Sequence, residues 1–159
     1  MKITWKELTI NFNHLDRLGL IESWAWLVGD DKLPILISSI GDMFLEDQKG
    51  RVYWLNVGEG TLKLIANNQE KFTIKLNDDD IANELFMFQL VTNILNSGLR
   101  LEPGKLFGYK QLPVIGGAYN AENFELTDIE VHFHLAGQIH EKIKDLPDGT
   151  KIKVTLSGK

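Results

Sequence analysis

The sequence predicts an α+β fold: an antiparallel meander sheet packed against helices, in a single domain spanning residues 1–159. Three observations carry this. Short β-prone runs between residues 33 and 66 are separated by turn residues, an acidic triplet opens a helical period at residue 78, and a second helical period begins at residue 128. With 159 residues, 43% of them hydrophobic and 25% charged, the chain has the composition of a folded globular protein. A chain of this size buries roughly 70% of its extended surface.

From the N-terminus, Asn13 is an expected helix cap, with Asp16 in the first turn. Leu15, Leu18, Ile21, Ala25 and Val28 follow at helical spacing until Gly29 stops the helix. Trp24 and Trp26 lie on this helix and are expected in the core. Leu33–Ile40 is an apolar run rich in isoleucine, read as a buried strand that Met43–Glu46 continues after Gly41-Asp42. Asp47-Gln48-Lys49-Gly50 is a hairpin turn with glycine at the position that favours positive φ, and Arg51–Val57 returns as a strand. Gly58-Glu59-Gly60 turns the chain into Thr61–Ala66. Asn67 or Asn68 then caps a short helix through Glu70, Phe72 and Leu76.

Asp78-Asp79-Asp80 puts acidic residues at the positive end of a helix from Ile81 to Ser97, closed by Gly98. Its middle has little polar face, so it is expected at the centre of the core against the meander. Phe44, Trp54, Leu85, Phe88 and Leu95 are expected to be buried. Pro103-Gly104 suits a type II turn, and Pro113 with Gly116-Gly117 marks an irregular loop. Residues 129–135 fit both a strand alternation and a helical spacing. The Thr127-to-Glu130 capping box and the basic residues Lys142 and Lys144 near its end favour a helix from Asp128 to about Asp145. Leu146-Pro147-Asp148-Gly149 then reads as a turn, and Lys151–Leu156 as a last edge strand.

Net charge is −5 and the sequence pI is near 5.3, which disfavours nucleic acid and anionic membrane as direct partners and suits a basic one. No apolar run reaches the roughly twenty residues of a spanning helix, and charge among the first residues interrupts any signal-peptide core. A cytoplasmic location is therefore expected. Cysteine is absent, which removes disulfides and thiolate chemistry. His132 and His134 share one face only on a strand; on a helix they diverge, and His132 and His140 stand about 12 Å apart along the axis, so no metal or other cofactor is expected. Gly58-Glu59-Gly60 lacks the lysine and helix start of a phosphate loop, and there is no nucleophile elbow around Ser38-Ser39, so no enzymatic site assembles.

One asymmetry remains. No Lys or Arg stands between Lys110 and Lys142, while Glu122, Glu125, Asp128, Glu130 and Glu141 all fall inside. Two readings stay open: a solvated acidic loop with helix N-terminal residues, or a face that docks a basic protein, with Tyr109, Tyr119 and Phe124 as aromatic anchors. A competing function is a small-molecule-binding or regulatory domain whose Gly116-Gly117 loop lines a pocket.

Several segments together resemble a known family: Ile40-Gly41-Asp42-Met43-Phe44-Leu45, Gly50-Arg51-Val52-Tyr53-Trp54-Leu55, Leu101-Glu102-Pro103-Gly104 with Phe107-Gly108, Ile115-Gly116-Gly117-Ala118-Tyr119 with Asn123, and Asp128-Ile129-Glu130-Val131-His132-Phe133 with Gly137-Gln138. They resemble the Tdi-type immunity proteins of bacterial type VI secretion systems, most specifically over residues 101–138. The strand-rich middle followed by a helix is also similar to SUKH-type (SMI/KNR-like) immunity proteins. The resemblance implies a non-enzymatic protein that neutralises a cognate toxin, in the best-known type a DNase, by binding it. It carries no catalytic residues.

Overall fold

In a computed structural model, which describes residues 3–147 and 150, Lys32–Ile37 (β1), Met43–Asp47 (β2), Val52–Asn56 (β3) and Thr61–Ala66 (β4) form a four-stranded sheet in the order β1-β2-β3-β4. All neighbours are antiparallel, with Phe44 opposite Trp54 and Leu55 opposite Leu62. The expected continuation of β1 into β2 is corrected: the chain reverses between them. Gly41 adopts φ +88° and donates its amide to the Ser38 carbonyl, while the Ser38 amide reaches the Asp42 carbonyl at 2.9 Å, closing a turn between two β-prone runs.

The central strands read as nearly continuous apolar runs because both sheet faces are covered. On one face Phe44, Val52 and Trp54 pack with Phe86, Val91 and Ile94; on the other Met43, Leu45 and Leu55 pack with Trp24, Leu106 and Phe133. The first layer comes from Gln69–Leu76 (α4), Asp79–Phe86 (α5) and Phe88–Asn96 (α6), preceded in the chain by the short N-terminal helices Trp5–Leu8 (α1), Arg17–Ile21 (α2) and Ala25–Val28 (α3). Asn68, one of the two asparagines expected there, caps α4 through its side chain, and Asp78 caps α5.

The single helix expected over residues 81–97 is two helices. Met87 sits in the left-handed region at φ 51°, and the Asn83 side chain accepts the Phe88 amide at 3.1 Å, so the break is capped from within the preceding helix rather than by a glycine. The break sends Phe86, not Phe88, into the core: Phe86 stacks on Phe44 at 5.2 Å, whereas Phe88 is only partly buried. Phe44, Trp54, Leu85 and Leu95 are buried as expected.

The expected helix from Asn13 to Val28 is likewise divided. Asp16, not Asn13, caps α2, and a 3-10 turn at Glu22–Trp24 precedes α3. Three residues at the tighter 3-10 spacing rotate α3 by about 60° relative to a continuous helix. Trp24 and Trp26 consequently stack 5.9 Å apart, and their indole N–H groups donate to the carbonyls of Phe133 and Gly137.

Ile129–Ile143 (α7) is helical, burying Ile129, Phe133, Ala136 and His140 on one face as the spacing predicts. The capping box at its start is absent. Thr127 belongs to a strand, its hydroxyl donates to the Glu125 carbonyl, and Asp128 occupies the cap position without a side-chain cap bond while pairing with Lys105 at 3.1 Å. That strand, Phe124–Asp128 (β6), pairs antiparallel with Lys105–Tyr109 (β5), a hairpin that sequence pattern leaves as loop. The Phe107 amide donates to the Ser39 carbonyl at 2.7 Å, tying this hairpin to the turn between β1 and β2. The strand expected over residues 151–156 and the Asp148-Gly149 turn lie outside the described residues.

Candidate functional site

The acidic, lysine-free stretch runs from the loop after β5 through β6 into α7. Glu122, in a 3-10 turn at Ala121–Asn123, Glu125 on β6 and Glu130 in the first turn of α7 are all exposed, and none makes an ion pair among the described residues. Strand alternation explains part of this: Phe124 and Leu126 turn toward the first core layer, which leaves Glu125 and Thr127 on the opposite face.

The three aromatics are placed differently. Tyr119 is 43% exposed and its hydroxyl donates to Glu59 in the turn between β3 and β4. Tyr109 is half-buried and its hydroxyl is enclosed beside Gly58, where burial pushes the phenol pKa up and keeps the group neutral. Phe124, 2% exposed, packs on Tyr109 at 4.7 Å and belongs to the core, so its ring supports this surface from beneath.

The Asn123 side-chain amide ties the two ends of the loop between β5 and β6 together, beside backbone bonds such as Gly117 to the Leu112 carbonyl at 3.0 Å. Asn123 accepts the Gln111 amide at 3.0 Å and donates to the carbonyls of Gln111 at 2.8 Å and Ala118 at 2.9 Å. Gly117 lies so close to the Gln111 carbonyl oxygen that a β-carbon there would overlap it. Sequence reading marks Gly116 and Gly117 as loop-forming but assigns Asn123 no role, because its bonds close only once β5 and β6 pair.

Between this loop, the β5–β6 hairpin and α7 lies a groove of about 580 Å³. Leu112 and Ile115 form one wall and Val131, Leu135, Ala136 and Ile139 the other; Lys110, Glu125 and Thr127 provide polar groups. Ile115, rather than Gly116 or Gly117, is the part of the glycine loop that lines it. His132 closes the inner side, with its ring nitrogen Nε2 2.8 Å from the Gly41 carbonyl oxygen. Burial holds that imidazole down to about 4, against the opposing effect of this hydrogen bond, so the ring is neutral near pH 7.

The other α7 histidines have separate partners. His140 reaches the Val57 carbonyl at 2.7 Å and His134 meets the Ser23 hydroxyl at 2.8 Å, so the helix directs the three rings to three different segments. Among the described residues no group of three His, Asp or Glu side chains is arranged to hold a metal ion, and no helix is long and apolar enough to cross a membrane. What the groove offers chemically is an apolar slot beside carboxylates.

No curated protein matches this chain. Among solved structures, the crystal structure of Atu4351 from Agrobacterium tumefaciens is similar with a TM-score of 0.58 at 16% identity, covering 78% of this chain. At that identity the likeness is one of fold, and this chain spans 65% of the length of the Atu4351 chain. The region that holds the acidic stretch and every residue of the groove, residues 66–140, matches the family of the T6SS immunity protein Tdi1, C-terminal.

Proposed function

We propose that this protein is a cytoplasmic, non-enzymatic immunity protein that binds and neutralises a cognate toxin of a type VI secretion system, by docking a basic surface of that toxin on Glu122, Glu125 and Glu130. The observation that carries this reading is that the family match over residues 66–140 contains nearly all of the lysine- and arginine-free stretch. An immunity protein acts by occupancy, and exposed single-sign charge speeds encounter with an opposite surface while repelling nucleic acid. A nuclease toxin, whose DNA-contacting surface is basic, has the matching charge. Tyr119, exposed and hydrogen-bonded to Glu59, supplies an aromatic contact, while Tyr109 and Phe124 lie inside beneath the hairpin.

The test is binding to a catalytically inactivated cognate effector, sought first among the products of neighbouring genes. Reversing Glu122, Glu125 and Glu130 to Lys is expected to lower the association rate about tenfold or more at low salt and to weaken its salt dependence. Cells carrying the triple variant are expected to lose protection on toxin expression. A folded triple variant that associates at the wild-type rate and still protects places the interface elsewhere.

A further inference from the structure

We infer that the turn between β3 and β4, residues 57–60, is a proton-coupled clasp: it is closed with a proton on Asp42 and none on Nδ1 of His140, and opening it releases the first proton to water while His140 takes one up.

Both polar backbone groups of Val57 are taken by titratable side chains from distant segments. Its amide donates to Asp42 Oδ1 at 2.9 Å, in the turn before β2, and its carbonyl accepts the Nε2–H of His140 at 2.7 Å, on α7. The two glycines of Gly58-Glu59-Gly60 permit this approach. A β-carbon on Gly58 would stand 2.9 Å from the Tyr109 hydroxyl, and one on Gly60 would overlap the His140 ring. The loop between β5 and β6 is moored to the same turn, because the Val114 amide donates to the Gly58 carbonyl at 3.3 Å and the Tyr119 hydroxyl donates to Glu59.

The surroundings set the proton on each side. Asp42 is 1% exposed, its donors are the neutral Val57 amide and the Trp54 indole at 3.1 Å, and it makes no ion pair among the described residues. The titratable groups facing it are Glu59 in the turn, Tyr109 on β5 and Tyr119 in the loop, and none of them favours an anion. Burial therefore pushes the Asp42 carboxyl up to about 7. His140, also buried, is held below its ordinary value although the Val57 carbonyl and Glu59 both favour its cation; Lys144 lines the same recess. Opening returns both groups to water, where a carboxyl titrates near 4 and an imidazole near 6.5. As pH falls below about 6.5, Asp42 therefore tightens the clasp and His140 loosens it, and in the wild-type chain the two oppose each other.

Hydrogen exchange at the Val57 amide tests this, expressed as protection relative to intrinsic exchange between pH 4.5 and 6.5. The Phe107 amide, bonded to Ser39 outside the clasp, is the reference. His140→Gln keeps a donor and leaves Asp42 alone in control, so its Val57 protection is expected to rise about tenfold per pH unit as pH falls. Asp42→Asn keeps an acceptor and is expected to reverse the sign, with protection falling at least threefold over the same range. Wild type is expected to lie between them. Should either variant fail to fold, the wild-type side-chain resonances are followed instead, with Asp42 expected to ionise near pH 7 and His140 below 6.5. Parallel profiles for the three chains, Val57 protection equal to that of Phe107 at every pH, or an Asp42 already ionised at pH 5.5 would overturn the clasp.

Discussion

The imidazole of His132 donates through Nε2 to the carbonyl oxygen of Gly41, 2.8 Å away and 91 residues earlier in the chain. The ring fills the space where a side chain on Gly41 would stand, and its Nδ1 edge lies 3.3 Å from the position a β-carbon would take on Gly108. One side chain of α7 is thus seated between the main sheet's first turn and the β5 strand, and it forms the floor of the groove.

Gly41→Ala is expected to destabilise the protein by about 2–4 kcal/mol. Its φ of +88° disfavours any β-carbon by about 1–2 kcal/mol, and the new methyl would displace the His132 ring from a packed site. Urea unfolding checks this; an unchanged midpoint would mean that the turn and ring rearrange freely.

The pH dependence contains two opposing parts. His132, held down to about 4 by burial, contributes stability that is complete above the unfolded value of about 6.5 and is lost as pH falls from there toward 4. Asp42 does the reverse. Burial pushes its carboxyl up to about 7, against hydrogen bonds from the Val57 amide and the Trp54 indole, so the fold takes up a proton between about pH 4 and 7 and gains stability from it as pH falls. Asp42→Asn is expected to remove this compensation and steepen the acid-side loss by about 1.4 kcal/mol per pH unit. Unfolding free energies measured from pH 4.5 to 6.5 check the slope; parallel curves for wild type and variant would refute the buried-carboxyl account.

Phe86→Ala is expected to cost about 3–5 kcal/mol and Phe88→Ala about half of that or less. Phe86 is fully enclosed, stacked on Phe44 and edge-on to Trp5 at 5.1 Å, while Phe88 keeps a solvent-facing part. Equal losses would show that α5 and α6 act as one continuous helix.

Asn123→Ala removes three hydrogen bonds that hold the groove loop. A loss of about 1–3 kcal/mol is expected, with faster hydrogen exchange at the Gln111 amide as the local signature. Unaltered exchange at Gln111 would place control of the loop elsewhere.

Local chemistry legible in the sequence determined the elements whose signals lie within a few residues: an asparagine cap at 67 or 68, aspartates capping at 78, the bounds of β4 at Thr61–Ala66, the buried stripe of α7, and the exposure of Glu122, Glu125 and Glu130. Hydrophobic spacing reports which face of its own element a residue occupies, and nothing about the partner of that face. The reversal at Gly41, the break at Met87 and the pairing of β5 with β6 were therefore decided by tertiary structure, through Ser38, Asn83 and strand contacts that periodicity does not encode. The groove has the same origin. Leu112 and Ile115 come from an irregular loop, Val131, Leu135 and Ile139 from a helix, and packing around His132 and Asn123 brings the two walls together.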